Sequence, residues 1–388
     1  MAYVSGEQVI ATILKHDTKT TSYKMALLRA INDVVLMYPD MARKGQAVAV
    51  PLSRIATLWA AYYWPFVDEQ LPIYQKARSV VNGQLQNDIS FRPALSRLRL
   101  QWQQEVQLTP QAADGFFLLT EMSTPRRRAT YSATLQQTYK LATEAITGAI
   151  QMPIRHSGPG EWTVFDKPAR LDKLAIPVVP LPSTQANEVC LVITADLWQA
   201  FHRLSLYIEA LCLHEWCLFT EKVPQDATHE VTRGVIYTLL TARPDNRRPL
   251  SWERNQVDIL LLEQVPIFCL WTGRRITQPA HYDLDHLLPL KIYPINELWN
   301  VLPVDKEFNQ RRKRDRIPKT SDLFAAQPRV AAAYTAYHHS TKLRAAIHED
   351  AALRFVNLTP GPSFADSLAQ QALSFIDNVA TARFATRF

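Results

Sequence analysis

Apolar residues at helical spacing, broken repeatedly by proline, are what most restrict the folds open to this chain. In residues 22–37 Leu27, Ile31 and Val34 fall on one helical face, with Ser22 placed to cap the N-terminus. Pro51 opens a second helical stretch carrying the aromatic run WAAYYW at 59–64, and Pro65 closes it. That run reads as the core of a helix bundle. Helical pattern continues through 69–150, with a proline–arginine break at 124–128. Residues 153–192 change character. They hold HSGPGEW, then Pro177, Pro180 and Pro182, then an apolar run at 189–193, and read as loops and short strands at a domain junction. From Asp196 the period returns as a stripe of Leu197, Phe201, Leu204, Ile208 and Leu211, and 230–242 and 251–264 read as two more helices. A last helix starts at Ser363, with Leu368, Ala372, Phe375 and Val379 on one face. No internal repeat interrupts this pattern.

Composition narrows the functional classes. The 25 prolines are accompanied by only 10 glycines, which argues against glycine-rich phosphate loops and collagen-like repeats. A chain 47% hydrophobic and 20% charged can bury a real core, so wholesale disorder is excluded. The net charge of +7 permits a nucleic-acid partner without requiring one. The four cysteines, Cys190, Cys212, Cys217 and Cys269, form no CxxC pair and no disulfide framework. A reducing cytoplasm is therefore the expected location. Cys212, His214 and Cys217 lie in an apolar helix and read as structural rather than metal-binding. The first residues lack the charged start and apolar block of a signal peptide. No uncharged apolar run reaches the roughly 18 residues of a membrane span, so no membrane segment is expected.

The segment 267–319 carries the chemistry. In YDLDHLLP, alternation reads as a strand ending at Pro289 and puts Asp283 and Asp285 on one face, with His286 next to them. Asn300 follows in LWNVLP and Asn309 in KEFNQ. A basic helix capped by Asp305 comes next; from 305 to 319 it has seven basic residues against three acidic ones. Asn309, Arg312, Lys313 and Arg316 are spaced i, i+3, i+4, i+7, which places them on one helical face. Carboxylate and amide oxygens suit Mg²⁺ or Mn²⁺. A histidine beside them can take a proton from water near neutral pH. An oxygen-liganded metal, a histidine base and a cationic helix are the parts needed to cut a phosphodiester.

Asp285-His286, Asn300 and Asn309, with the LWN-x-LP, FNQ and KRDRIP stretches and the hairpin-like CLWTG at 269–273, resemble the HNH, or ββα-metal, nuclease family. The likeness extends to bacterial HNH nucleases of phage-defence islands, and the flanking helices resemble those of the nuclease subunit of Zorya-type systems. The resemblance implies that His286 is the general base, that Asp285 and Asn309 hold one divalent ion, and that Asn300 fixes the loop between hairpin and helix. It makes Asp283 a supporting or alternative ligand. It implies phosphate contacts for Lys313 and Arg314, and the charge pattern adds Arg247, Arg248, Arg312 and Arg316. Some HNH proteins carry paired CxxC zinc knuckles. Cys269 stands alone here, so a structural zinc is not expected.

The expected fold class is mainly α (α+β), with a ββα-metal module embedded in C-terminal helices. Four segments follow: a helical domain at 1–152, a mixed linker and helical domain at 153–250, the nuclease module at 251–325, and C-terminal helices at 326–388. The expected function is a metal-dependent DNA endonuclease, an enzyme that nicks or degrades DNA as an anti-phage effector and works with partner proteins of a defence system. A sequence-specific restriction or homing nuclease and a DNA-binding scaffold subunit are the rival readings. No helix-turn-helix signature supports sequence-specific reading. His281 reads as loop, Arg92, Arg97, Arg99 and the 126–128 arginines as solvated, and His338-His339 as helix surface.

Overall fold

The proline-bounded apolar stretches fold as helices. A computed structural model describes residues 5–226, 230–242, 249–356 and 358–388 of the chain. It is mainly helical with small sheets, and it divides into two units, Met1–Arg243 and Pro244–Phe388. Among the described residues no helix is long and apolar enough to cross a membrane.

The first unit holds α1 (Gly6–Ala11), α2 (Tyr23–Met37), α3 (Leu52–Tyr63), α4 (Arg92–Val106), α5 (Asp114–Ser123), α6 (Pro125–Arg128), α7 (Ala133–Arg155), α8 (Ala195–Arg203), α9 (Ser205–Glu221) and α10 (Arg233–Thr241). Its strands are β1 (Ala47–Pro51), β2 (Val80–Val81), β3 (Gln84–Leu85), β4 (Ala169–Arg170), β5 (Val178–Pro180) and β6 (Val189–Ile193). A mixed sheet of order β4-β6-β1-β5 joins them, while β2 and β3 form a separate hairpin. The aromatic run does form core: Tyr63 lies 5.1 Å from both Phe91 and Trp216, ring to ring. Such ring pairs add to simple area burial. The Ser22 hydroxyl, expected as a cap, instead pairs with the Tyr63 hydroxyl at 2.8 Å inside this core.

The boundary expected at 152 falls inside α7, and β1 pairs with both β5 and β6, so 1–152 and 153–242 share one unit. The helical reading of 69–91 gives way to loops and the β2–β3 hairpin. The stripe from Leu197 is split by a break at Leu204, and Leu211 is exposed. Arg92 and Arg99 are buried ties rather than solvated charges. Arg92 grips Asp88 and donates to the carbonyls of Phe66 and Ile73, and Arg99 donates to Trp64 O. Cys212 and Cys217 are buried in α9, while His214 faces out.

The second unit starts with α11 (Ser251–Leu262) and the hairpin β7 (Ile267–Phe268)–β8 (Arg275–Ile276). Then come β9 (Tyr282–His286), β10 (Val301–Asp305) and the single turn α12 (Lys306–Phe308). The helices α13 (Thr320–Ala325), α14 (Gln327–Tyr337), α15 (Thr341–Ala352) and α16 (Phe364–Ala382) close it. β9 and β10 pair antiparallel, with Val301 opposite His286 and Asp305 opposite Tyr282. Helices 327–382 are built into the same core. The Tyr334 and Tyr337 hydroxyls donate to Trp299 O and Val301 O at 2.7 and 2.8 Å, and Asp350 accepts from Leu298 N at 2.7 Å. The line expected at 325 is thus not a boundary. His338, expected on the surface, packs half-buried against His348 and Phe364, with ring centroids 5.2 and 5.5 Å away.

Candidate active site

Strand alternation sends Asp283 and Asp285 to the same side of β9, where both meet the turn that follows α12. Asp305 starts that turn by accepting from Phe308 N at 2.8 Å, so the N-cap read from the sequence is present. The helix does not continue as an α-helix. Residues Asn309–Lys313 form a π-turn, closed by Arg314 N donating to Asn309 O at 2.8 Å, and Arg314 leaves it with a positive φ of 50°. The wider turn breaks the i, i+3, i+4, i+7 alignment expected for Asn309, Arg312, Lys313 and Arg316.

Lys313 is therefore separated from the other cations. It is fully buried, with its ammonium 2.8 Å from Asp285 Oδ2 and donating to His286 O at 2.9 Å. This corrects the phosphate contact expected for it, since a buried ammonium paired to a carboxylate cannot meet a strand in solvent. Arg312 and Arg314 are exposed and Arg316 is half-buried, its guanidinium 5.7 Å from the Phe388 ring centroid. Arg247 and Arg248 lie outside the described residues. An open cavity of about 590 Å³ borders the turn, lined by Trp271, Arg274, Phe308, Arg311 and Arg312 among others.

Burial, with the neighbouring Asp283 charge, pushes the Asp285 carboxyl up to about 6 against the pull of Lys313. Asp283 is half-buried and accepts from Gln310 Nε2 at 3.1 Å and Asn309 Nδ2 at 3.4 Å. That contact orients the Asn309 amide. Its Oδ1 is buried without a hydrogen-bond partner, and Asp285 Oδ2 is paired with the Lys313 ammonium. A carboxylate oxygen held only by an ammonium and a buried amide oxygen without a hydrogen-bond partner are the donor type a hard divalent ion takes. Asp285 and Asn309 therefore fit such an ion. Among the described residues no group of three or more His, Cys, Asp or Glu side chains is placed to share one.

His286 ends β9 and is buried. Its Nε2 lies 2.9 Å from Asn296 Oδ1. A carbonyl oxygen only accepts, so in the neutral ring Nε2 carries the proton and Nδ1 the lone pair. Asn296 has no counterpart in the sequence reading. It sits in the irregular loop between β9 and β10, where no periodicity marks a position. Asn300 fastens the same loop rather than the one between hairpin and helix: fully buried, it accepts from Leu288 N at 2.8 Å and donates to Leu288 O and Ile295 O, both at 3.1 Å. His281 is exposed on a turn before β9. Cys269 lies in the β7–β8 turn, where its sulfur accepts from Thr272 N at 3.5 Å and Gly273 takes a positive φ of 71°.

A mainly helical unit and a smaller unit holding this strand–strand–turn site thus make up the chain. Residues 5–240 match a family described as a domain of unknown function (DUF8808). The chain belongs to that family. The match covers the first unit and ends before the candidate site. No curated protein and no solved structure matches the chain.

Proposed function

We propose that the second unit carries an HNH-type ββα centre that hydrolyses DNA phosphodiester bonds with one Mg²⁺ or Mn²⁺ ion. The observation that carries this reading is the convergence of Asp285 and His286, at the end of β9, with Asn309, directly after α12, whose buried amide oxygen accepts no hydrogen bond. Asp285 and Asn309 would hold the ion, which supplies charge neutralisation at the phosphoryl oxygen and the leaving oxygen. His286 takes the proton of the attacking water, and Asn296 orients its ring through Nε2. Asn300 keeps the loop bearing Asn296 in place. Arg312, Arg314 and Arg316 meet backbone phosphates, and the open cavity that Arg312 lines leaves room for a strand. One such centre per chain cuts one strand, so the product of a single encounter is a nick.

The test is conversion of supercoiled plasmid by the purified full-length chain with Mg²⁺, Mn²⁺ or EDTA. Metal-dependent open circles are expected from the wild type and none from His286→Ala. Full cleavage by His286→Ala would overturn the assignment. The role in anti-phage defence, with its partner proteins, rests on the sequence resemblance alone. Phage plating on cells expressing the wild type or His286→Ala tests it, and equal plating on both would remove it.

A further inference from the structure

We propose that Lys313 is a tethered cation that fills the divalent-ion position at Asp285 when no ion is bound, and that metal loading must displace it. This rests on the reading of Asp285 as a metal ligand. The Lys313 side chain is fully buried, and its ammonium stands 2.8 Å from Asp285 Oδ2 with a second hold on His286 O at 2.9 Å. It is therefore in direct contact with the oxygen that a metal ion would take. A buried carboxylate is stabilised by a counter-charge, and in the metal-free protein Asp285 has a cation beside it. The chain provides that cation itself.

The backbone is shaped to deliver it. In a regular α-helix Lys313 would share a face with Arg312 and Arg316. The π-turn, closed by Arg314 N to Asn309 O at 2.8 Å, carries it beneath β9 instead, and Arg314 holds a positive φ of 50° to leave that turn. The same turn places Asn309, whose buried Oδ1 accepts no hydrogen bond. A divalent ion joining Asp285 and Asn309 would meet the ammonium already on Asp285 Oδ2, and because the two cations repel it can load only as Lys313 withdraws. Lys313 thus weakens metal binding and raises the ion concentration at which the site loads, while keeping Asp285 in place until then.

The experiment measures Mn²⁺ binding, by calorimetry and by electron paramagnetic resonance of free Mn²⁺, on the full-length wild type, Lys313→Met and Asp285→Asn, without DNA. Lys313→Met is expected to bind Mn²⁺ about tenfold tighter or more, because loading no longer has to displace a unit charge from Asp285. Asp285→Asn is expected to lose the site. Unchanged or weaker binding by a folded Lys313→Met, with Asp285→Asn still inactive in binding, overturns the role of Lys313 and leaves the proposed function standing. Unchanged binding by Asp285→Asn overturns both. Should Lys313→Met fail to fold, crystal structures of the wild type with and without Mn²⁺ decide. The ammonium is expected to leave Asp285 Oδ2 when the ion enters; an ion bound at Asp285 with the 2.8 Å contact intact overturns the proposal.

Discussion

Asn300→Ala is the most informative single perturbation of the second unit. The side chain is wholly buried and makes three hydrogen bonds, at 2.8, 3.1 and 3.1 Å, to Leu288 N, Leu288 O and Ile295 O. Each is worth about 1 kcal/mol net, so truncation costs the loop about 3 kcal/mol, with two carbonyls and one N–H left unpaired in a dry site. One decade of equilibrium constant is about 1.4 kcal/mol, so the Leu288 amide should exchange with solvent roughly 100-fold faster if the loss opens the loop locally. Native-state hydrogen exchange on the full-length chain reads this directly. Amides in the middle of α14 and α16 serve as internal references, because no bond to them is removed. The loop carries Asn296, which holds His286, so cleavage should fall while DNA affinity stays. Asn300→Asp is expected to be at least as damaging. It keeps the acceptor for Leu288 N but sets a carboxylate against two carbonyl oxygens. A change of less than about threefold in Leu288 exchange would show that the loop is held by something other than this amide.

Three shorter expectations follow from other contacts. Asn296→Ala removes the hold on His286 Nε2, so kcat should fall about 10–100-fold with little change in KM, whereas a purely structural role would lower melting temperature with kcat retained. Arg312→Ala with Arg316→Ala should weaken DNA binding uniformly across sequences and flatten the salt dependence by about two phosphate contacts, and an unchanged salt slope refutes their part in binding. His338 and His348 both have pKa values lowered from 6.5, by burial first, then for His338 by His348 and for both by Arg344. The unfolded chain therefore binds more protons than the folded one just below pH 6.5, so stability is full above that pH and declines as pH falls through it. The melting temperature should drop more between pH 7 and 5.5 in the wild type than in His338→Gln with His348→Gln.

The helices were legible where apolar spacing and proline agreed. α2 begins one residue after Ser22, α3 follows Pro51, and α16 buries Leu368, Ala372, Phe375 and Val379 as expected. Alternation alone marked β9, and Asp305 marked the cap after β10. What escaped were features that local pattern does not encode. The union of 1–152 with the following segment depends on β1 pairing with β5 and β6 across more than a hundred residues. In 69–91, read as helical, Ile73, Ile89 and Phe91 are buried from a loop fastened by Arg92 to Asp88 and to two carbonyls. Lys313 was misplaced because counting at 3.6 residues per turn assumes an α-helix, and a π-turn shifts every later side chain. Asn296 lies in a loop, where only three-dimensional closeness to His286 gives it meaning.

The dependence of the site on its flanking helices can be tested by cutting them away. Two short paired strands are marginal in water unless something covers a face. Here the cover comes from helices after residue 325. Trp299, fully buried, sits 5.0 Å from Phe355 and 5.6 Å from Phe375. Tyr334 and Tyr337 donate to the carbonyls just before and at the start of β10, and Asp350 takes the amide of Leu298. A fragment of 249–325 loses all of these and exposes the aromatic side chain that anchors β10. It should show a collapsed nuclear magnetic resonance spectrum, while 249–388 should show a dispersed one. Tyr334→Phe and Tyr337→Phe test the same reasoning gently. Each removes one hydroxyl and strands one buried carbonyl, so each should cost about 1–3 kcal/mol. A dispersed spectrum from 249–325 would show that the strand pair and its turn fold without the helices, and the placement of Asp285, His286 and Asn309 would then owe nothing to them.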